Sequence, residues 1–223
     1  VHGVENLIDF CKNNGRRLIQ ISTVSVAGEG SEGIPPKDRV FCENDLYIGQ
    51  SITNEYIRTK FLAERAVLEA VSGGLDAKII RVGNLMCRNS DGEFQINFIT
   101  NGFLGSPRGY KAVGKFPMGS MHEIAELSPI DSTALAVLKL VQTDRRFTVF
   151  HACNSHHIYM ADLIYAMRKY GFKLDIVKDE EFEEAVKEFA KNGNDSDAVS
   201  GLIAYTSHNE NEIYTMEYSN RFT

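Results

Sequence analysis

The sequence is poor in the features that mark membrane, secreted or nucleic-acid-binding chains. No apolar stretch approaches the roughly 18 residues that span a bilayer, so no transmembrane helix is expected. Basic residues never run longer than Arg16-Arg17 or Arg145-Arg146, and the formal net charge is −6. Nucleic acids and anionic membranes both select basic patches, so neither is expected as a main partner. The segment from Val1 does not read as a signal peptide. The four cysteines, Cys11, Cys42, Cys87 and Cys153, include no C-x-x-C pair. Reduced, structural thiols in a cytoplasmic protein are therefore expected. No metal site is expected either, because His156-His157 is the sole histidine pair and adjacent side chains point apart. An initiator Met is also lacking, and the chain opens directly in a helical pattern, so the expectation is a piece cut from a longer protein.

What is present reads as an ordinary folded domain: hydrophobic residues make up 43% and charged residues 24%, both average for a globular chain. Val4, Leu7, Ile8 and Cys11 form one helical face, ended near Asn13-Asn14-Gly15. Arg17 to Val24 predicts a buried strand. Ala27 to Ile52 is rich in Gly, Pro and charge and predicts a long surface loop. Ser51 or Thr53 is expected to cap a helix from about Asn54 to Val71, stopped by Gly73-Gly74, before a second buried strand over Ala77 to Val82. Apolar strands alternating with helices predict a parallel sheet in an α/β fold. Further on, helices are expected over Asn97 to Phe103, after a cap at Asp131, around Met160, Leu163, Ile164 and Met167, and after a cap at Asp179. Strands are expected over Phe147 to Ala152 and Phe172 to Val177, with a short extended piece at Leu127 to Ile130. No internal repeat and no clear linker divides the chain.

The chemistry gathers in two places. Tyr56 and Lys60 stand one turn apart on the helix, so they share a face. A free tyrosine, with a pKa of about 10, is a poor acid or base at neutral pH, but an ammonium one turn away stabilises a phenolate and makes the phenol usable. A second pair, Tyr165 and Lys169, has the same spacing and is read as a partly buried Tyr beside a solvated Lys. What separates the first pair is Thr23, at the carboxyl end of the first strand in Ser22-Thr23-Val24-Ser25-Val26-Ala27-Gly28. Ligands of parallel α/β sheets bind at those strand ends, where a hydroxyl can donate to a carbonyl oxygen. The alternative for Thr23 is a hydroxyl spent on its own backbone.

In order and spacing, this strand, the long loop, Tyr56-x-x-x-Lys60 and the strand ending Arg81-Val82-Gly83-Asn84 resemble the extended short-chain dehydrogenase/reductases. The likeness is greatest to the thioester reductase domains of nonribosomal peptide synthetases and carboxylic acid reductases. Asn6-Leu7, Thr rather than Ser at 23, Ala63-Glu64 and Ser128-Pro129-Ile130-Asp131 support it, and it runs from Val1 to about Gly171. The resemblance implies a partial Rossmann-like parallel sheet: residues 1–85 as the C-terminal half of a dinucleotide-binding fold carrying the catalytic residues, and 86–223 as mainly a smaller mixed α/β substrate-binding region with returning Rossmann elements. It implies Tyr56 as proton donor, Tyr56 and Lys60 at the cofactor with Lys60 on the nicotinamide ribose, Thr23 on the substrate oxygen, and Val82, Gly83 and Asn84 beside the nicotinamide. The implied cofactor is NADPH, with NADH possible, and the implied substrate is an acyl or peptidyl thioester on a phosphopantetheinylated carrier protein, reduced to an aldehyde or alcohol. Alternatives are an extended dehydrogenase, reductase or epimerase acting on a nucleotide sugar or an alcohol, and a non-catalytic binding module.

The family's glycine-rich phosphate turn has no counterpart. Gly28 to Gly33 follows the strand of Thr23, carries Glu29 and Glu32, leads into Pro35-Pro36, and reads as a flexible loop. Two expectations follow: weak NADPH binding and inactivity unless a front half of the same domain is supplied, and self-association or disorder at the first helix.

Overall fold

The structure is a computed structural model describing residues 2–31, 33–96, 102–156, 158–192, 202 and 213–223. The chain begins with α1 (His2–Asn13), β1 (Leu18–Thr23), a 3₁₀ turn (Val24–Ala27), β2 (Glu29–Ser31), α2 (Glu55–Ser72), β3 (Ala77–Val82) and β4 (Leu85–Met86). It continues with α3 (Gly102–Val113), β5 (Lys115–Pro117), β6 (Ile124–Ala125), β7 (Ser128–Pro129), α4 (Ile130–Leu140) and β8 (Val149–Ala152). Then come β9 (Ile158–Tyr159), α5 (Met160–Lys169), β10 (Asp175–Val177), α6 (Asp179–Lys191) and β11 (Ile213–Thr215). These elements fall into two compact units, one of Val1–Gly92, Leu127–Ser155 and Asn211–Thr223, the other of Glu93–Glu126 and His156–Glu210.

The first unit is built on a parallel sheet in the order β1-β3-β8. β3 is the middle strand and is buried throughout. α1 and α2 cover one apolar layer, in which Ile8, Cys11, Leu18, Val67, Ala70 and Ile79 pack together. α4 packs against β3 and β8 in a second cluster around Ile80, Leu140 and Phe150. The expected parallel α/β architecture is therefore present, with Ala77, Ile79, Ile80 and Val82 as the apolar positions of the strand that has neighbours on both sides.

Several local expectations are corrected. β1 is an edge strand among the described residues, and Ile19 and Ile21 are exposed at 36% and 43% rather than buried. Leu7 is turned outward on α1, with Phe10, while Ile8 and Cys11 make the buried stripe. α1 is a regular helix packed on α2, not disordered. The 27–52 segment is more than a surface loop. It buries Phe41, Glu43 and Gln50, and its Gly28-to-Gly33 glycines lie in or beside β2, which pairs antiparallel with β11. Gly28 is at φ 67, and a Cβ there would collide with the Ser51 carbonyl, so glycine is required by this chain's own packing. Asn54, not Ser51 or Thr53, caps α2, its Oδ1 accepting from the amides of Tyr56 and Ile57. Gly73 and Gly74 end that helix as expected.

Asp131 lies within the first turn of α4 rather than at its cap, and its carboxylate accepts from the amides of Asn89, Ser90 and Ser132. Those bonds, that of Asn89 foremost, hold the carboxyl below the usual carboxylate range and tie the turn after β4 to α4.

The second unit packs α3, α5 and α6 around Tyr110, Phe116, Ile164, Leu174, Phe182 and Val186. β5 pairs with β10 in parallel and β6 with β9 antiparallel. Asp179 opens α6 without capping it; Lys178 is the cap residue, and the Asp179 carboxylate accepts from the amide of Gly119. Tyr165 of the second Tyr-Lys pair is exposed rather than partly buried. Of the helix expected over 97–103, residues 97–101 lie outside the described residues, as does His157, and α3 begins at Gly102.

Candidate active site

The parallel register places the predicted strand-end residues side by side. Thr23 ends β1 directly opposite Val82 on β3, which is in turn opposite Ala152 on β8. Gly83 and Asn84 follow Val82 out of the sheet, and the Asn84 carbonyl accepts from the amide of Ser128. α2 packs against β1 and the 3₁₀ turn, which brings its first turns to the same end of the sheet. Lys60 fixes the relation, because its Nζ donates to the carbonyl of Ile21, two residues before Thr23, at 3.2 Å. The same ammonium stands 5.8 Å from the Tyr56 ring centroid. Tyr56 itself is 57% exposed, so its phenol is open to a ligand.

Thr23 and Tyr56 do not bond one another among the described residues. The Thr23 hydroxyl caps the 3₁₀ turn by accepting from the Ser25 amide at 3.1 Å, and donates to Ser25 Oγ at 3.0 Å. The local-backbone role weighed for Thr23 is thus present, and Ser25 is a second hydroxyl at the same spot that the residue pattern did not single out. A hollow of about 660 Å³ lies near α2, lined by Tyr47, Ile52, Arg58 and Phe61 among others. Arg58 is roughly 200° around the helix from Tyr56 at ~100° per residue, so this hollow faces away from the phenol.

The residues also fit one end of a nicotinamide nucleotide. An ammonium carries three donors, and Lys60 commits one to Ile21, leaving donors for a ribose hydroxyl. The glycine run that could have cradled phosphate is absorbed by β2, its pairing with β11 and its bridge to Ser51.

Beneath these residues lies a buried polar network. Arg81 of β3 forms an ion pair with Glu64 of α2 at 2.7 Å, with both side chains fully buried. Arg81 also donates to the Asp45 and Cys42 carbonyls, at 2.8 and 3.4 Å, and stands over the Phe41 ring. His151 of β8 lies 3.0 Å from Arg81 Nη1 through Nε2, and 2.6 Å from the Ser219 carbonyl through Nδ1. Arginine can only donate, so Nε2 accepts and Nδ1 carries the proton. Glu43 joins the network by accepting from the Phe222 amide and from the Thr223 hydroxyl, which itself accepts from the His151 amide; Glu43 Oε2 is buried with no hydrogen-bond partner among the described residues.

Burial, and after it the Arg81 guanidinium, pushes the His151 pKa down from 6.5 to about 4. Between those values the unfolded chain holds a proton that the folded chain refuses. Stability therefore falls as pH drops through that window, by roughly 3 kcal/mol in all. Urea unfolding at about pH 7 and about pH 5 should register part of this loss, and His151→Gln should flatten the difference. An equally steep dependence in that variant would refute the assignment.

The fold is of the extended short-chain dehydrogenase/reductase class. A family model described as Male sterility protein, an NAD-binding family, matches residues 1–137, and the chain belongs to that family. Among solved structures, the thiolation-reductase di-domain of an archaeal non-ribosomal peptide synthetase is 38% identical with a TM-score of 0.80, over 92% of this chain and 43% of that one. The reductase domain of the aureusimine biosynthetic cluster is 26% identical with a TM-score of 0.81, over 100% of this chain and 56% of that one. A linear gramicidin synthase of Brevibacillus parabrevis is 27% identical over 207 residues, 91% of this chain and 4% of that protein. The chain thus spans about half the length of those solved structures and a small part of that curated relative.

Proposed function

We propose that this chain carries the catalytic residues of an NADPH-dependent reductase that releases an acyl or peptidyl group from a carrier-protein thioester as an aldehyde. The observation that carries the reading is the pairing of Thr23 with Val82 at the carboxyl end of the sheet, with Lys60 bonded to β1 beside Tyr56. Similarity to a thiolation-reductase di-domain supports the thioester as substrate.

The bound nicotinamide would supply a hydride to the thioester carbonyl carbon. Thr23, with Ser25 beside it, would turn its hydroxyl to the carbonyl oxygen, and Tyr56 would give that oxygen a proton. The resulting hemithioacetal collapses by breaking its C–S bond: the hydroxyl proton leaves to Tyr56 or water, and the carrier thiolate departs and is protonated. Lys60 would hold the ribose beside Tyr56. Val82, Gly83 and Asn84 would line the nicotinamide side. The pyrophosphate grip is assigned to the further length that the solved reductase domains possess. The exposed edge of β1, with Ile19 and Ile21, offers a parallel strand of that length a place to add.

The deciding experiment supplies the full-length parent with a carrier-bound acyl thioester and NADPH, and follows NADPH oxidation together with aldehyde by mass spectrometry. Stoichiometric aldehyde and free carrier thiol are expected. Turnover of nucleotide sugars or simple alcohols with no thioester reduction would overturn the reading.

A further inference from the structure

The buried charges below the site have a geometry that the chemistry itself does not use. Glu64 lies on the face of α2 that carries Lys60 and Tyr56, one and two turns further along. Arg81 lies on β3 beside Val82 and grips the Glu64 carboxylate through Nη2 at 2.7 Å and Nε at 3.0 Å. Ser22, the residue before Thr23, donates its hydroxyl to the other oxygen of Glu64 at 2.5 Å. Ser22 and Arg81 also face each other across the β1–β3 register. One carboxylate thus joins the three elements that present Thr23, Tyr56 with Lys60, and Val82 to Asn84.

We propose that Ser22, Glu64 and Arg81 are positioning residues, which hold α2 at a fixed angle to the ends of β1 and β3 and so set the gap between the Thr23 hydroxyl and the Tyr56 phenol. The inference rests on the reductase reading. An ion pair removed from water stabilises a fold no better than well-packed apolar side chains of similar volume, so layer adhesion alone does not explain it. Direction does. Hydrogen bonds weaken steeply away from linear geometry, and a two-pronged arginine–carboxylate contact adds orientation that apolar packing lacks. From Glu64 back to Tyr56 is roughly 12 Å of helix axis at ~1.5 Å per residue. A tilt of about 5° pivoting at Glu64 therefore moves the phenol end by roughly 1 Å. Displacements of that size can cost about 100-fold in rate.

The test measures the full-length parent with a carrier-bound thioester and NADPH, comparing Ser22→Ala, Glu64→Gln and Tyr56→Phe. Ser22→Ala deletes one hydroxyl and keeps the ion pair, so it decides the matter even if Glu64→Gln fails to fold. We expect Ser22→Ala to lower kcat by roughly 10-fold, with KM and NADPH Kd close to those of the parent and Tm lower by only about the few degrees that one buried hydrogen bond is worth. A folded Glu64→Gln should lose at least as much. Wild-type kcat in Ser22→Ala, or a loss confined to Tm or KM, overturns the positioning role. If that happens while Tyr56→Phe is inactive, the reductase reading stands without it. If Tyr56→Phe keeps full activity, the site itself is misassigned and the inference falls with it.

Discussion

Tyr56→Phe in the full-length parent is expected to lower kcat for thioester reduction by about two to four orders of magnitude, with NADPH affinity changed only a few-fold. The substitution removes one oxygen. That oxygen makes no hydrogen bond among the described residues, and the side chain is exposed, so folding has little to lose. The ring stays, and with it the 5.8 Å approach of Lys60. Any large loss must therefore come from the missing proton donor and not from a collapsed helix. Single-turnover measurement of aldehyde formation, alongside a binding titration with NADPH, separates the two contributions. A variant that reduces the thioester at more than about a tenth of the parental rate would remove Tyr56 from the chemistry.

The parts of this site that could be read in the sequence are those fixed by neighbours along the chain. Tyr56 and Lys60 are four residues apart on a helix whose stop, Gly73-Gly74, is written beside it, and β3 is written in the run Ala77 to Val82. Thr23 at a strand end follows from the same local patterns. What escaped depends on distant segments. β1 alternates apolar residues as a half-buried strand does, yet Ile19 and Ile21 are exposed because they point to the face opposite Leu18 and α2, where α4 packs on β3 and β8. The 27–52 segment has the composition of a solvated loop. Phe41 is nonetheless buried because the tail at Glu217 and Ser219 bonds its backbone on both sides. Asp131 and Asp179 look like helix caps, but their carboxylates bond amides at Asn89 and Gly119, far away in sequence. One overlooked signal was local. Lys78 and Arg81 fall within an otherwise apolar buried strand, and a buried cation requires partners. For Lys78 these are the carbonyls of Asp144 and Phe147; for Arg81, Glu64 heads the set. A search for the missing anion would have led to Glu64, one turn past Lys60.

Arg81→Leu should reduce the unfolding free energy by about 3–5 kcal/mol, because it strands a charge rather than merely deleting a contact. Among the described residues Glu64 would keep only the Ser22 hydroxyl, and the Asp45 carbonyl would lose its donor, while the Cys42 carbonyl would keep the Asp45 amide. Against a total stability of about 5–15 kcal/mol for an ordinary domain, the loss is close to decisive. The charge explanation makes a second, opposite demand. Adding Glu64→Leu to Arg81→Leu removes the stranded anion, so the double variant should be more stable than the single one by about 2 kcal/mol despite having fewer polar contacts. It should not return fully to the parent, since the Asp45 carbonyl, the Ser22 hydroxyl and His151 Nε2 lose their partners among the described residues, at about 1–3 kcal/mol for each group that water does not reach. Urea midpoints of the three proteins measure both differences. A double variant less stable than Arg81→Leu would mean that the pair contributes by packing and hydrogen bonding alone. The layers around α2 would then need no charge to stay together, and the orienting role of Glu64 would rest wholly on the kinetics of the Ser22 variant.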